Sequence, residues 1–353
     1  MKSTNNIPKI MRAAVLWNTG EPLIIEENIT IPSLERGQIL VKMSFSGVCR
    51  SQLMEVRGYR GKDKYLPHLL GHEGCGQVVA VGNGISKVNV GDWAILGWIK
   101  GNGLDAKGAI YNAGNQRINS GPVTTFSSYT VVSENRVVKL PSNLPKDVAV
   151  LFGCALPTGA GIILNEVKPK KNSTIAIIGL GGIGLSALIA CQNFSLKKII
   201  AVDISNQKLK LAKDFGANYI INSENEDVEE RIKKITNDRG VDYSIESAGT
   251  TQTIENAFKL VRNNGGKCFF ASHPKANEKI KLDPFDLISG KNIFGSWGGA
   301  SRPDIDVPLL ANMYSEGKLP LEKLITKKYS LDEINLALND LENNRVFRPL
   351  IIF

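Results

Sequence analysis

Hydrophobic positions in the first half of the chain come in short clusters. Met11 to Trp17, Gly37 to Ser44, Gly76 to Val81 and Asp92 to Leu96 are rich in Val and Ile and are broken by Gly and Pro. Runs of that length, bounded by turn residues, predict the short strands of a barrel or sandwich. Between Trp98 and Thr125 the pattern lapses; Gly, Asn, Ala and Asp dominate, which predicts a long loop or lobe.

From about Asn172 the pattern changes. Apolar strand-like runs recur at Thr174 to Ile178, Lys198 to Val202, Tyr219 to Ile221, Asp242 to Ile245, Lys267 to Ala271 and Asn292 to Trp297. Helix-length stretches, such as Gly184 to Phe194 and Asn206 to Phe215, separate most of them. Strands alternating with helices predict an α/β unit, a doubly wound parallel sheet with helices on both faces. Ser330 and Glu333 have the spacing of a capping box and predict a last helix, and Pro349 to Phe353 reads as a closing strand.

One motif turns this pattern into a binding site. Gly179, Gly181 and Gly184 form G-x-G-x-x-G, with Leu180, Gly182 and Ile183 between them. The motif follows a buried-type strand and opens an apolar helix. Asp203 ends the next predicted strand, about 20 residues on, which completes the dinucleotide fingerprint. The glycines permit the tight turn, the approach of a pyrophosphate and close helix–strand packing. Asp203 would accept from the ribose hydroxyls, and its charge repels a 2′-phosphate, so NAD is expected over NADP.

Composition narrows the classes. Of 353 residues, 42% are hydrophobic and 22% charged, which suits a globular chain with a sizeable core. No apolar run approaches the roughly 18 residues of a membrane span, so no membrane partner is expected. Met1 to Lys9 is polar, reads as a loose tail, and lacks the apolar stretch of a signal peptide. The net charge of +9 comes from scattered lysines without interleaved aromatics. It predicts a basic surface and no nucleic-acid partner. Five cysteines, an odd number, argue against a disulfide framework and for a cytoplasmic protein.

Cys49, His72 and Cys154 supply thiolate, imidazole and thiolate, the donor types of an open catalytic zinc site. A single cysteine fills a core equally well, and Cys75, Cys191 and Cys268, in apolar contexts, are assigned that role.

With these motifs in view, the chain resembles the zinc-containing alcohol dehydrogenases of the medium-chain dehydrogenase/reductase superfamily, from Arg12 to Phe353. The segments that carry the resemblance are Gly47 to Ser51, Gly71-His72-Glu73, Gly153-Cys154 with Thr158-Gly159, and the glycine fingerprint. Within the superfamily it resembles the class I and III enzymes, whose third zinc ligand is Cys. The resemblance implies a GroES-like β-barrel catalytic domain, residues 1–155 and 298–353, around a Rossmann NAD-binding domain, residues 156–297. It implies one catalytic zinc on Cys49, His72 and Cys154, with Glu73 as the acidic neighbour beneath the metal. It further implies that Ser51 takes the alcohol proton, that Arg50 and Arg348 hold the pyrophosphate and Asp203 and Lys208 the adenosine ribose, that Thr158 and Ile183 lie beside the nicotinamide, and that Trp98 lines the substrate pocket. In such enzymes zinc is expected to act as a Lewis acid while hydride passes between the carbinol carbon and NAD. Pairing through Asn292 to Trp297 implies a homodimer or homotetramer.

Two departures stand out. Trp98 to Thr125 lacks the four cysteines that bind a structural zinc in many relatives, so none is expected. Met54 stands five residues after Cys49, where some relatives carry a relay His; His68 or direct exit to water would have to serve instead. The alternative function is a polyol, sugar or cyclitol dehydrogenase, for which Arg57, Tyr59, Arg60 and Lys100 would contact hydroxyl-rich substrates.

Overall fold

A computed structural model describes residues 8–353. The polar tail expected at Met1 to Lys9 lies outside this range up to residue 7. The described residues divide into two compact units: residues 8–154, 302–316 and 321–353, and residues 155–301 with 317–320.

In the first unit a small closed barrel runs through Ile10–Leu16, Ile24–Thr30, Ile110–Ala113, Gln116–Asn119 and His68–Leu69. A second sheet is ordered Val137–Lys139, Trp93–Leu96, Gly74–Val81, Gln38–Gly47, Arg348–Ile352 and Ile325–Ser330, with Tyr129–Ser133 also pairing with Gln38–Gly47. The last strand lies antiparallel to the Gln38–Gly47 strand, with Leu350 opposite Gly47 and Ile351 opposite Ser46. That register brings the C-terminal end of the chain beside the Cys49 segment.

The stretch read as a loop contains the Ile110–Ala113 and Gln116–Asn119 hairpin that helps close the barrel. Each strand has four residues and buries one side chain fully, Tyr111 or Ile118. A single inward residue makes no period-2 signal, so neighbours decide these strands. The Tyr111 hydroxyl accepts from the Val131 N–H at 2.8 Å, which satisfies a polar atom inside the core.

Glu134 anchors the loop that precedes this hairpin. Only 1% exposed, it accepts from the backbone N–H groups of Ser86, Lys87 and Leu104 at 2.6, 3.0 and 2.7 Å. Asp304 accepts from the Asn102 N–H and pairs with Lys87, both at 2.6 Å. Carboxylates thus hold this cysteine-free segment through its own amides.

The second unit is a six-stranded parallel sheet ordered Tyr219–Asn222, Lys198–Asp203, Thr174–Ile178, Tyr243–Glu246, Lys267–Phe270 and Asn292–Gly295. Numbered within the sheet, that order is 3-2-1-4-5-6, the doubly wound arrangement. All five residues of Thr174–Ile178 are buried, because helices cover both faces of a central parallel strand. Ala176, Ile200, Ile221, Ile232 and Phe258 pack in one cluster between sheet and helices. No single helix among the described residues is long and apolar enough to cross a membrane.

Candidate active site

Cys49, His72 and Cys154 come from three separate segments of the first unit. Cys49 is the N-cap of the Arg50–Val56 helix, with extended φ/ψ of −109° and 152°. Its N–H donates to Gln52 Oε1 at 3.1 Å, which satisfies a backbone donor just ahead of the helix. Leu53 and Val56 anchor that helix in a cluster with Leu16, Phe126, Tyr329 and Ile334. His72 follows Gly71, whose φ is +88°. A Cβ at Gly71 would lie 2.3 Å from Thr125 Oγ1, so the turn that presents His72 requires glycine. Cys154 ends the 3-10 turn Val150–Gly153.

The three donor atoms lie within 4.8 Å of one another. His72 Nε2 is 3.1 Å from Cys154 Sγ. His72 Nδ1 faces the other way, toward Ser51 Oγ at 3.3 Å and the side-chain amide nitrogen of Gln52. The Cys154 hydrogen bond holds the Cys49 thiol well below its ordinary pKa, against burial and with help from Arg348 and His72. The same bond pushes Cys154 well above its own. Burial disfavours the charged ring of His72, but the bond and charge of Cys49 outweigh it and raise its pKa. Two sulfurs and an imidazole that compete for protons form a donor set suited to a borderline-soft divalent cation, and zinc fits it.

Glu73 lies outside this triad. Its carboxylate, fully buried, meets Arg348 Nη2 at 2.7 Å through both oxygens. Burial raises the pKa of Glu73, opposed by the Arg348 charge. Burial works against the guanidinium too, but Glu73, Cys49 and Cys154 keep it charged. Arg348, expected at the pyrophosphate, is 4% exposed and paired with Glu73. Arg50 is exposed at the start of its helix.

In the second unit, Gly181 caps the Gly182–Cys191 helix without a side-chain hydrogen bond. A Cβ at Gly184 would lie 2.0 Å from the Gly179 carbonyl, so close packing demands that glycine. A Cβ at Gly181 would meet no protein atom within 4 Å. Packing therefore does not explain Gly181; a ligand approaching bare helix-terminal amides does, and a dinucleotide pyrophosphate fits. Asp203 steadies the turn, accepting from the Leu180 N–H at 2.6 Å and the Ser205 N–H at 2.9 Å. A carboxylate has further lone pairs for ribose hydroxyls. Lys208 is buried on the Asn206–Asp214 helix. Thr158 is buried on the Ala155–Gly161 helix, where a Cβ at Gly159 would lie 2.1 Å from the Ile183 carbonyl. The Thr158 helix and the Ile183 turn are thus in direct contact.

Family models for the alcohol dehydrogenase GroES-like domain and for zinc-binding dehydrogenases match residues 35–142 and 182–315. Alcohol dehydrogenase 1 of Trifolium repens is 30% identical over 368 residues, covering 96% of each chain. Alcohol dehydrogenase 2 of Zea mays is 32% identical over 354 residues, covering 92% of this chain and 93% of its own. The chain belongs to the zinc-dependent alcohol dehydrogenases. Benzyl alcohol dehydrogenase of Acinetobacter calcoaceticus has the same fold, with a TM-score of 0.88 at 29% identity over 98% of this chain and all of that one. The enzyme is thus a medium-chain oxidoreductase that uses zinc and NAD on small alcohol or carbonyl substrates.

Other expected residues of this dehydrogenase are placed as follows. The Trp98 N–H donates to the Gly153 carbonyl at 3.3 Å, next to Cys154 in sequence, and Arg136 donates to the Trp98 carbonyl. His68 lies between Asp63 at 2.8 Å and the Leu69 carbonyl at 3.0 Å, so both ring nitrogens are engaged away from Ser51. The cations considered for hydroxyl-rich substrates have acidic partners: Arg57 with Glu342, Arg60 with Glu55, Lys100 with Asp105. Gln52 went unremarked in the sequence; its only signal is its place three residues after Cys49, a capping-box spacing.

Proposed function

We propose that Cys49, His72 and Cys154 hold the catalytic zinc, and that the enzyme interconverts simple, largely apolar alcohols and their carbonyls. The convergence of three donor atoms within 4.8 Å carries the assignment. Zinc in such a site supplies Lewis acidity toward the substrate oxygen. Ser51, two residues after Cys49, supplies the hydroxyl that takes up the substrate proton and passes it outward. Glu73 and Arg348 keep the protein beneath the triad electrically balanced. In the cofactor unit, Gly179 to Gly184, with Gly182 and Ile183, receive the NAD pyrophosphate. Asp203 and Lys208 hold the ribose, and Thr158 and Ile183 flank the nicotinamide. Trp98 lines the substrate side. The acid partners of Arg57, Arg60 and Lys100 support simple alcohols over polyols, since those cations are already neutralised.

The Asn292–Gly295 edge strand, with Phe294, Trp297, Phe285 and Ile288 exposed around it, supports pairing of two copies. Five free cysteines suit a cytoplasmic enzyme. The deciding experiment is elemental analysis of wild type and Cys154→Ser. One zinc per chain in the first, with loss of zinc and turnover in the second, is expected. A Cys154→Ser protein with full zinc occupancy would refute the site.

A further inference from the structure

We propose that Arg136 is a positioning residue for substrate selection: its guanidinium fixes the backbone at Trp98, and through it the indole that decides how bulky an alcohol is accepted. The inference rests on the reading of Trp98 as a wall of the substrate side and adds the residue that holds it there.

Arg136 closes the short turn Glu134–Arg136 and grips two consecutive residues of another segment. Its carbonyl accepts from the Gly97 N–H at 3.0 Å, and its Nη1 donates to the Trp98 carbonyl. The Trp98 N–H donates in turn to the Gly153 carbonyl at 3.3 Å, and Gly153 precedes Cys154. No slack remains at this join. A Cβ at Gly97 would lie 2.8 Å from the Gly153 carbonyl oxygen, and one at Gly153 would lie 2.3 Å from the Leu96 carbonyl oxygen. The Trp98 backbone is thus held at its N–H by the residue before Cys154 and at its carbonyl by Arg136.

Stability of the fold does not account for this choice of residue. Arg136 Nε is buried and has no hydrogen-bond partner among the described residues. Burial lowers the pKa of the guanidinium, and Asp105, the acid that opposes this, is itself bonded to Lys100 and Asn135. Burying part of a charge without pairing it costs free energy that an apolar side chain would not. What the guanidinium supplies, and an apolar chain cannot, is a strong charged donor to a carbonyl. That carbonyl belongs to Trp98, whose side chain leaves the adjoining Cα. A backbone fixed at both its N–H and its C=O restricts where the indole can swing. A fixed indole wall admits small alcohols and turns away bulky ones.

The test compares wild type, Arg136→Met, Arg136→Lys, Trp98→Ala and the double variant of Arg136→Met with Trp98→Ala. The readouts are kcat and KM for ethanol and for cyclohexanol, with zinc content and Tm as folding controls. Arg136→Met should raise the kcat/KM ratio of cyclohexanol to ethanol about 10-fold, chiefly by lowering KM for the larger alcohol, with zinc retained. Arg136→Lys keeps a cationic donor and should restore part of the wild-type ratio. In the Trp98→Ala background, Arg136→Met should change the ratio no further, because it acts through the indole. If Arg136→Met does not fold, Arg136→Gln takes its place, since its amide stops at the level of Nε, short of Nη1. A wild-type ratio in Trp98→Ala would overturn the reading of Trp98 and this inference together. A raised ratio in Trp98→Ala beside a wild-type ratio in Arg136→Met, or an Arg136→Met effect that persists without the indole, would overturn the role of Arg136 alone.

Discussion

Arg348 and Glu73 meet at 2.7 Å with side-chain exposures of 5% and 0%. They lie 275 residues apart in sequence. Strand Arg348–Ile352 brings them together by pairing beside Gly47, one residue before Val48 and two before Cys49.

A buried pair of this kind is costly to break one-sidedly. Glu73→Gln leaves a guanidinium charged and uncompensated, and should destabilise the protein by about 3–5 kcal/mol. Joining it to Arg348→Met should recover a large part of that loss. Urea unfolding of the single and double variants checks this. Equal destabilisation by the single and the double would show that the pair does not act as a unit.

Ser51 is the hydroxyl on His72 Nδ1. Ser51→Ala should lower turnover about 10²–10⁴-fold, the usual range for a positioned proton-transfer group, with zinc content and NADH binding retained. Ser51→Thr should keep much of the activity. Because His68 is engaged with Asp63 and Leu69, His68→Gln should leave the pH–rate profile unmoved. Wild-type rates for Ser51→Ala across the pH range would remove it from the proton path.

Asp203 binds the fingerprint turn through the Leu180 N–H. Asp203→Gly should therefore do two things: erode the preference for NAD over NADP, and loosen the turn so that both cofactors bind more weakly. The ratio of kcat/KM for the two cofactors separates these effects. A wild-type enzyme that uses NADP as well as NAD would refute the ribose assignment.

Glu134 gives a pH dependence of stability. Burial alone would raise its pKa, but the N–H groups of Leu104, Ser86 and Lys87 outweigh burial and lower it. A depressed folded-state value contributes stability that is full above the unfolded carboxylate pKa of about 4.3. It is lost as pH falls through the lower folded value. Glu134→Gln should cost about 1–3 kcal/mol at neutral pH, with faster amide exchange across residues 98–108. Its gap from wild type should shrink in acid. Melting curves at neutral and acidic pH test the sign; a gap that widens in acid contradicts it.

Much of the cofactor unit was legible before any coordinates. Thr174–Ile178, the glycine turn and Asp203 lie within 30 consecutive residues, and their roles follow from local geometry: a buried strand, a turn without side chains, an acid at the next strand end. Parallel strands buried on both faces are apolar without interruption, so their signal survives in sequence. The barrel hairpin at Ile110–Asn119 did not, because one inward residue per strand carries no period.

The sequence by itself determined the chemistry available: two cysteines and a histidine of ligand type, a serine two residues after Cys49, and an acid at the end of the strand after the glycine turn. Only the tertiary structure decided the partners. That Arg348 lies on Glu73, that Gln52 joins Cys49 to His72, and that His68 is taken by Asp63 depend on which strands pair and how a helix is packed. Arg348–Glu73 and Gln52–His72 link segments distant in the chain, and even for near neighbours a long polar side chain reaches several partners equally well until burial removes water as the competing partner.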